Sequence, residues 1–139
     1  MLFMSPEETA RPQFSGNPEV TEIFDSDVST HYLECGDKVL AVMLPDSGLP
    51  NGPDAATYIS SNNGNQVPGA TTALYNKARE ILERYATETR RPVLYGFSTK
   101  NPEMRAWAIA NGPTIFDWTV HADDEYGFYA EKIFKPQPV

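Results

Sequence analysis

Only one cysteine, Cys35, occurs in the 139 residues, so no internal disulfide can form, and no Cys-x-x-Cys or His-x-x-x-His spacing offers a metal site. No metal is expected. Basic residues are scarce: 11 Lys and Arg stand against 19 Asp and Glu, a formal net charge of −8. That balance repels a phosphate backbone and removes the term that supplies most non-specific nucleic-acid affinity, so no nucleic-acid partner is expected. It suits a cationic amine, and equally it just keeps a protein dispersed. Long hydrophobic runs are missing too. The most apolar stretch, Val39 to Leu44, is far short of the roughly 20 residues of a membrane helix. The start Met1-Leu2-Phe3-Met4 lacks the basic region and apolar core of a signal peptide. The expectation is a cytoplasmic protein with no membrane partner.

What is present is the composition of one globular α/β domain, 40% hydrophobic and 22% charged, of a size that buries roughly two-thirds of its unfolded surface. Residues 1–28 read as an irregular arm, because Pro6, Pro12, Gly16 and Pro18 interrupt its first part and only Glu19 to Phe24 has the makings of a short helical turn. Residues 29–139 form the expected domain. Thr30 to Leu33 and Val39 to Leu44 are β-prone runs around Cys35-Gly36-Asp37-Lys38, a hairpin in which Gly36 takes positive φ, and Pro45 ends the second strand. A loop from Asp46 to Asp54 precedes a third strand, Ala55 to Ser61, and Asn62 to Asn65 form a turn.

Between about Thr72 and Glu88, Leu74, Ala78, Ile81, Leu82 and Tyr85 recur with helical period, and charged residues fill the other face. Thr71 is placed to cap this helix. Val93 to Ser98 is a short strand. A second helix begins at Pro102 and runs to about Ala110, where Asn111-Gly112-Pro113 stops it. Thr114 to Val120 and Tyr126 to Phe134 are strands joined by a turn over His121-Ala122-Asp123-Asp124. The order implies a mixed sheet of about six strands with helices packed on it.

The segment Gln66-Val67-Pro68-Gly69-Ala70-Thr71 joins a strand to the long helix. Such a junction aims unpaired amides at one point, and the helix dipole adds roughly half a positive charge there. The glycine admits a ligand close to the backbone. The same residues also make an ordinary strand-to-helix turn.

This junction resembles the Gln/Arg-x-x-Gly-x-Gly/Ala segment that receives the acyl-CoA pyrophosphate in the GNAT superfamily of N-acetyltransferases. Gln66, Gly69 and Thr71 stand at its three defined places, the last an atypical residue. Asn101 lies 35 residues after Gln66, where the family has an asparagine opening its next helix, and Gly112 follows eleven residues later, where the family has a glycine. The resemblance covers Thr30 to Phe134 as topology and Gln66 to Gly112 as motif.

What the resemblance implies is a GNAT-like, mostly antiparallel sheet with a long central helix, and transfer of an acetyl or other short acyl group from acyl-CoA to a small-molecule or peptide amine. In this reading the amides around Val67, Gly69, Ala70, Thr71 and Thr72 hold the pyrophosphate, Ser60 and Ser61 face the pantetheine and acyl carbonyl, and Asn101 touches the pantetheine arm. Several positions depart from the family. Ala108 stands where it often has a proton-donating tyrosine, Pro113 where it has a phenylalanine, and Pro68 removes one amide from the loop. The first two family helices have no counterpart here. Those departures point to the alternative, a catalytically inactive GNAT-like binding or structural protein. An α/β hydrolase is disfavoured by the absence of a Gly-x-Ser-x-Gly segment.

Two further residues are catalytic candidates on their own chemistry. His121 reads first as a polar residue of the hairpin turn, and an imidazole there could also serve as a general base near neutral pH. Asp117 lines a cleft or faces solvent, depending on strand alternation. Cys35 reads as a half-buried small hydrophobe. The short N-terminal half leaves part of the sheet to be covered, for which a homodimer is the expectation.

Overall fold

A computed structural model describes residues 18–45, 54–62, 64 and 66–138. Its elements are β1 (Thr21–Asp25), β2 (Thr30–Cys35), β3 (Lys38–Met43), β4 (Asp54–Ser61), α1 (Ala70–Thr89), β5 (Val93–Thr99), α2 (Pro102–Ile115), β6 (Thr119–Asp124) and β7 (Gly127–Phe134). The strands form one sheet of seven in the order β1-β2-β3-β4-β5-β7-β6. Five pairings are antiparallel, and β4 with β5 is parallel. The architecture is thus a mixed sheet with two helices, one strand larger than expected.

The extra strand is β1. Glu19 to Phe24 reads as the one stretch of the arm able to form a helical turn, but Thr21–Asp25 pairs antiparallel with β2 from Thr21↔Glu34 to Asp25↔Thr30. Every β1 residue is exposed. It is an edge strand whose ladder bonds to β2 decide its conformation, and six residues carry too little helical propensity to compete with that template. The hairpin of β2 and β3 turns where expected, over Gly36-Asp37, with Gly36 at φ 63. The expected turn at Asn63 and Asn65, the loop at 46–53 and the arm at 1–17 lie outside the described residues.

One face of the sheet carries Leu33, Leu40, Val42, Ala55, Val93, Tyr95, Phe97, Phe128, Ala130 and Phe134. These form a single core with Leu74, Tyr75, Ala78, Ile81 and Leu82 of α1 and with Ala108 and Ile115 of α2. The helical period placed the α1 residues correctly, although Tyr75 belongs to the same face. On the opposite face of the sheet Tyr32, Tyr58 and Ile133 are exposed.

The C-terminal third departs most from expectation. Helix α2 does not stop at Asn111-Gly112-Pro113 but continues to Ile115. Pro113 lacks the N–H that would bond the Ile109 carbonyl. Both residues are exposed, so water can take that carbonyl, while Gly112 and Ile115 are buried by the extra turn. The left-handed residue that closes the helix is Asp117, at φ 54, whose amide donates to the Gly112 and Pro113 carbonyls. The following strand is displaced accordingly: β6 runs from Thr119 to Asp124, and the hairpin turn is Glu125-Tyr126.

Candidate functional site

Strands β4 and β5 pair only over Asp54↔Leu94, Ala55↔Tyr95 and Ala56↔Gly96. Beyond that rung they part. Thr57 to Ser61 stay paired to β3, and Phe97 to Thr99 to β7. The two strand edges that face each other across the gap therefore present backbone N–H and C=O groups with no ladder partner, which is how a sheet receives an extended amide-bearing molecule. Beneath the fork sit aromatic rings: Tyr75 of α1 lies 4.7 Å from Trp107 and 5.9 Å from Phe97, centroid to centroid. At its vertex Thr57 Oγ1 and Tyr95 Oη share a 2.8 Å hydrogen bond.

The gap is a cleft of about 540 Å³ whose walls include Lys38, Thr57, Tyr75, Phe97, Asn101 and Trp107. That volume is in the range of small-molecule sites. Ser60, Ser61 and Thr71 also line it, so strand end, helix start and the Asn101 turn meet in one place. Gln66, Val67, Gly69, Ala70 and Thr72 do not line the cleft wall. They lie along the entry to α1, with Gln66 and Gly69 exposed and Ala70 buried.

The start of α1 differs in detail from the sequence reading. Gly69, not Thr71, is the cap residue, at φ 78 with no side-chain cap bond. Thr71 is already helical because the Ala70 amide turns back to the Val67 carbonyl at 3.1 Å, beginning the helix earlier than expected. The first-turn amides have no intrahelical acceptor, and no acidic side chain occupies that turn. The positive end of the dipole thus meets the cleft at Thr71 with no carboxylate of its own first turn beside it, while Glu103 of α2 stands in the same cleft wall.

The side chains of three expected site residues have structural duties. Ser61 Oγ donates to Asp37 Oδ2 at 2.7 Å, and Thr72 Oγ1 accepts from Trp107 Nε1 at 3.1 Å. Asn101 caps α2, its Oδ1 accepting from the Glu103 and Met104 amides at 2.8 and 3.1 Å.

The catalytic candidates lie apart from this cleft. Asp117 is not on a strand: it is the left-handed residue after α2, its side chain is 93% exposed, and its nearest cation is Lys132 Nζ at 4.0 Å. It lines no cleft. His121 is not in a turn either. It sits in β6 at the register shift between Val120 and Ala122, with Nε2 2.9 Å from Glu131 Oε1.

The ionisable residue that sequence reading passed over is Tyr75. Burial pushes its phenol up to about 12, with a hydrogen bond from Thr57 opposing the shift. Burial also raises Tyr95 well above the ordinary phenol value, and the neighbouring Tyr75 adds to it. Both phenols are neutral donors at physiological pH. The signal for Tyr75 was its place three residues before Ala78 on the apolar face; only the fold aims it beneath the fork. Cys35 is buried, which raises its thiol above the ordinary value and keeps it un-ionised.

Among the described residues no group of three or more His, Cys, Asp or Glu side chains is placed to hold a metal ion, and no helix is long and apolar enough to cross a membrane. No protein-family model, curated protein or solved structure matches the chain.

Proposed function

We propose that this chain is an acyl-CoA-dependent N-acyltransferase of the GNAT type, moving an acetyl or other short acyl group to an amine. The observation that carries this reading is the β4–β5 fork opening beside the N-terminus of α1. A pantetheine arm is an extended chain with two amides, suited to the free strand edges, and a pyrophosphate suits the helix start. The cleft wall carries one charge of each sign, Lys38 and Glu103. A thioester is already activated and a free amine is a good nucleophile, so positioning the two supplies most of the acceleration. Equilibrium binding of acetyl-CoA tests the reading: saturable binding below millimolar concentration is expected, and none at millimolar ligand overturns it.

A second reading, a GNAT-like binding protein without transferase activity, is favoured by Ala108. This residue is fully buried and has no proton to donate. Binding of acetyl-CoA without acyl transfer to any amine would select it.

A further inference from the structure

Glu131 lies on the sheet face away from the helices and joins two other groups. Its Oε1 is 2.9 Å from His121 Nε2, and its Oε2 accepts the hydroxyl of Tyr129. The three side chains come from β6 and β7 and form one hydrogen-bonded chain. Its inner end is at the fork: a β-carbon built on Gly96 would stand 3.1 Å from Tyr129 Oη, and Gly96 is the last β5 residue paired with β4. Its outer end reaches water, because the His121 side chain is 46% exposed. A groove of about 440 Å³ lies alongside, lined by Ser98, Thr99, Ala122, Asp124, Tyr126 and Tyr129 among others. Ser98 and Thr99 also line the fork cleft, so the two spaces meet across the end of β5.

Resting on the acyl-CoA reading above, we propose that this groove receives the amine acceptor and that Tyr129, Glu131 and His121 form the relay that deprotonates it. An amine arrives as an ammonium ion and must lose a proton before its lone pair can attack. One N–H proton passes to Tyr129 Oη as the phenol proton moves to Glu131 Oε2, and the Glu131 proton then leaves through His121 to solvent. The freed amine forms the C–N bond to the thioester carbonyl and the C–S bond breaks. The sulfur leaves with the bonding pair and takes the second N–H proton, giving amide and thiol, with one proton released to water. The other charged groups nearby are Asp54, whose charge is felt at Tyr129, and Asp124 and Lys100 in the groove. The groove itself carries one carboxylate and one lysine, so its charge is balanced and it is the relay behind Tyr129 that suits an amine.

The test compares the parent, Glu131→Gln and Tyr129→Phe in acetyl-CoA binding and in acetyl transfer to phenethylamine, spermidine and an alanyl dipeptide between pH 6 and 9. Both variants are expected to bind acetyl-CoA within about two-fold of the parent and to unfold at a similar temperature. Glu131→Gln should lose at least about 30-fold in kcat/KM at pH 7, with the deficit shrinking toward pH 9 as free amine becomes available without the relay. A variant that keeps the parental rate throughout overturns the relay, and so does a loss that is the same at every pH, which marks a structural role. A parent that binds acetyl-CoA and acetylates none of the three amines also overturns it while leaving the cleft assignment standing. A parent that fails to bind acetyl-CoA overturns both.

Discussion

Gly112 is covered by the indole of Trp118: a β-carbon built on Gly112 would stand 2.0 Å from Cζ2 and 2.3 Å from Cε2. Trp118 has little freedom to yield, since its ring stacks on Phe116 at 5.4 Å and meets Phe97 at 5.0 Å. The glycine is therefore required for packing within a helix, and not as a helix stop. Gly112→Ala is expected to destabilise by about 1–3 kcal/mol or more, although alanine is the better helix former by about 1 kcal/mol. Urea unfolding monitored by tryptophan fluorescence measures this. An unchanged midpoint would mean that the indole moves aside freely.

Gly69 at φ 78 makes substitutions there ambiguous, because any side chain adds backbone strain to whatever it does to a ligand. Thr71 avoids the difficulty: it is helical and lines the cleft. Thr71→Glu is expected to stabilise the first turn of α1 by about 0.3–1 kcal/mol while weakening acetyl-CoA binding at least ten-fold, through repulsion of the pyrophosphate. Calorimetry measures the binding and thermal unfolding the stability. Undiminished affinity in a folded variant would remove the helix start from the binding site.

Asn101→Ala deletes the acceptor for two α2 amides. A loss of about 1 kcal/mol is expected, within the range of N-cap deletions. Asn101→Asp retains the cap and separates the two roles assigned to this residue: stability near the parental value with weakened acetyl-CoA binding indicates ligand contact, whereas full recovery of both indicates a cap alone.

Alkaline pH should unfold the protein through its tyrosines. Burial raises Tyr75 to about 12 from the 10.0 of a free phenol, so between those values the folded state holds a proton that the unfolded chain releases. Unfolding free energy then falls as pH rises. The stability is fully present below pH 10 and is lost as pH climbs toward 12, by on the order of 2–3 kcal/mol for this residue. Tyr95 shifts in the same direction. The phenolate absorbance of the buried tyrosines is expected to appear late in the titration and to coincide with loss of circular dichroism. A single smooth titration with the fold intact would contradict the burial of Tyr75 and Tyr95.

Sequence alone determined the parts whose causes are local. The period of Leu74, Ala78, Ile81 and Leu82 set the buried face of α1, Gly36 set the β2–β3 turn, and Pro102 set the start of α2, because each depends on residues within one or two turns of chain. Of the site candidates named from sequence, Ser60, Ser61, Thr71 and Asn101 line one cleft, whereas Gln66, Val67, Gly69, Ala70 and Thr72 do not. Tertiary structure decided the rest. Thr21–Asp25 became a strand because β2 offered it a ladder. Helix α2 ran through Pro113 because burying Gly112 and Ile115 against the core offset one lost hydrogen bond on an exposed side. Once that helix lengthened, Asp117 fell just after it and not on a strand, and His121 fell in β6 and not in a turn. The fork between β4 and β5 depends on pairing between residues 40 apart in the chain, as with Asp54 and Leu94, and the meeting of His121 with Glu131 and Tyr129 depends on the β6–β7 register and its shift between Val120 and Ala122. No local propensity encodes the point at which two strands part, since pairing between segments distant in the chain decides it.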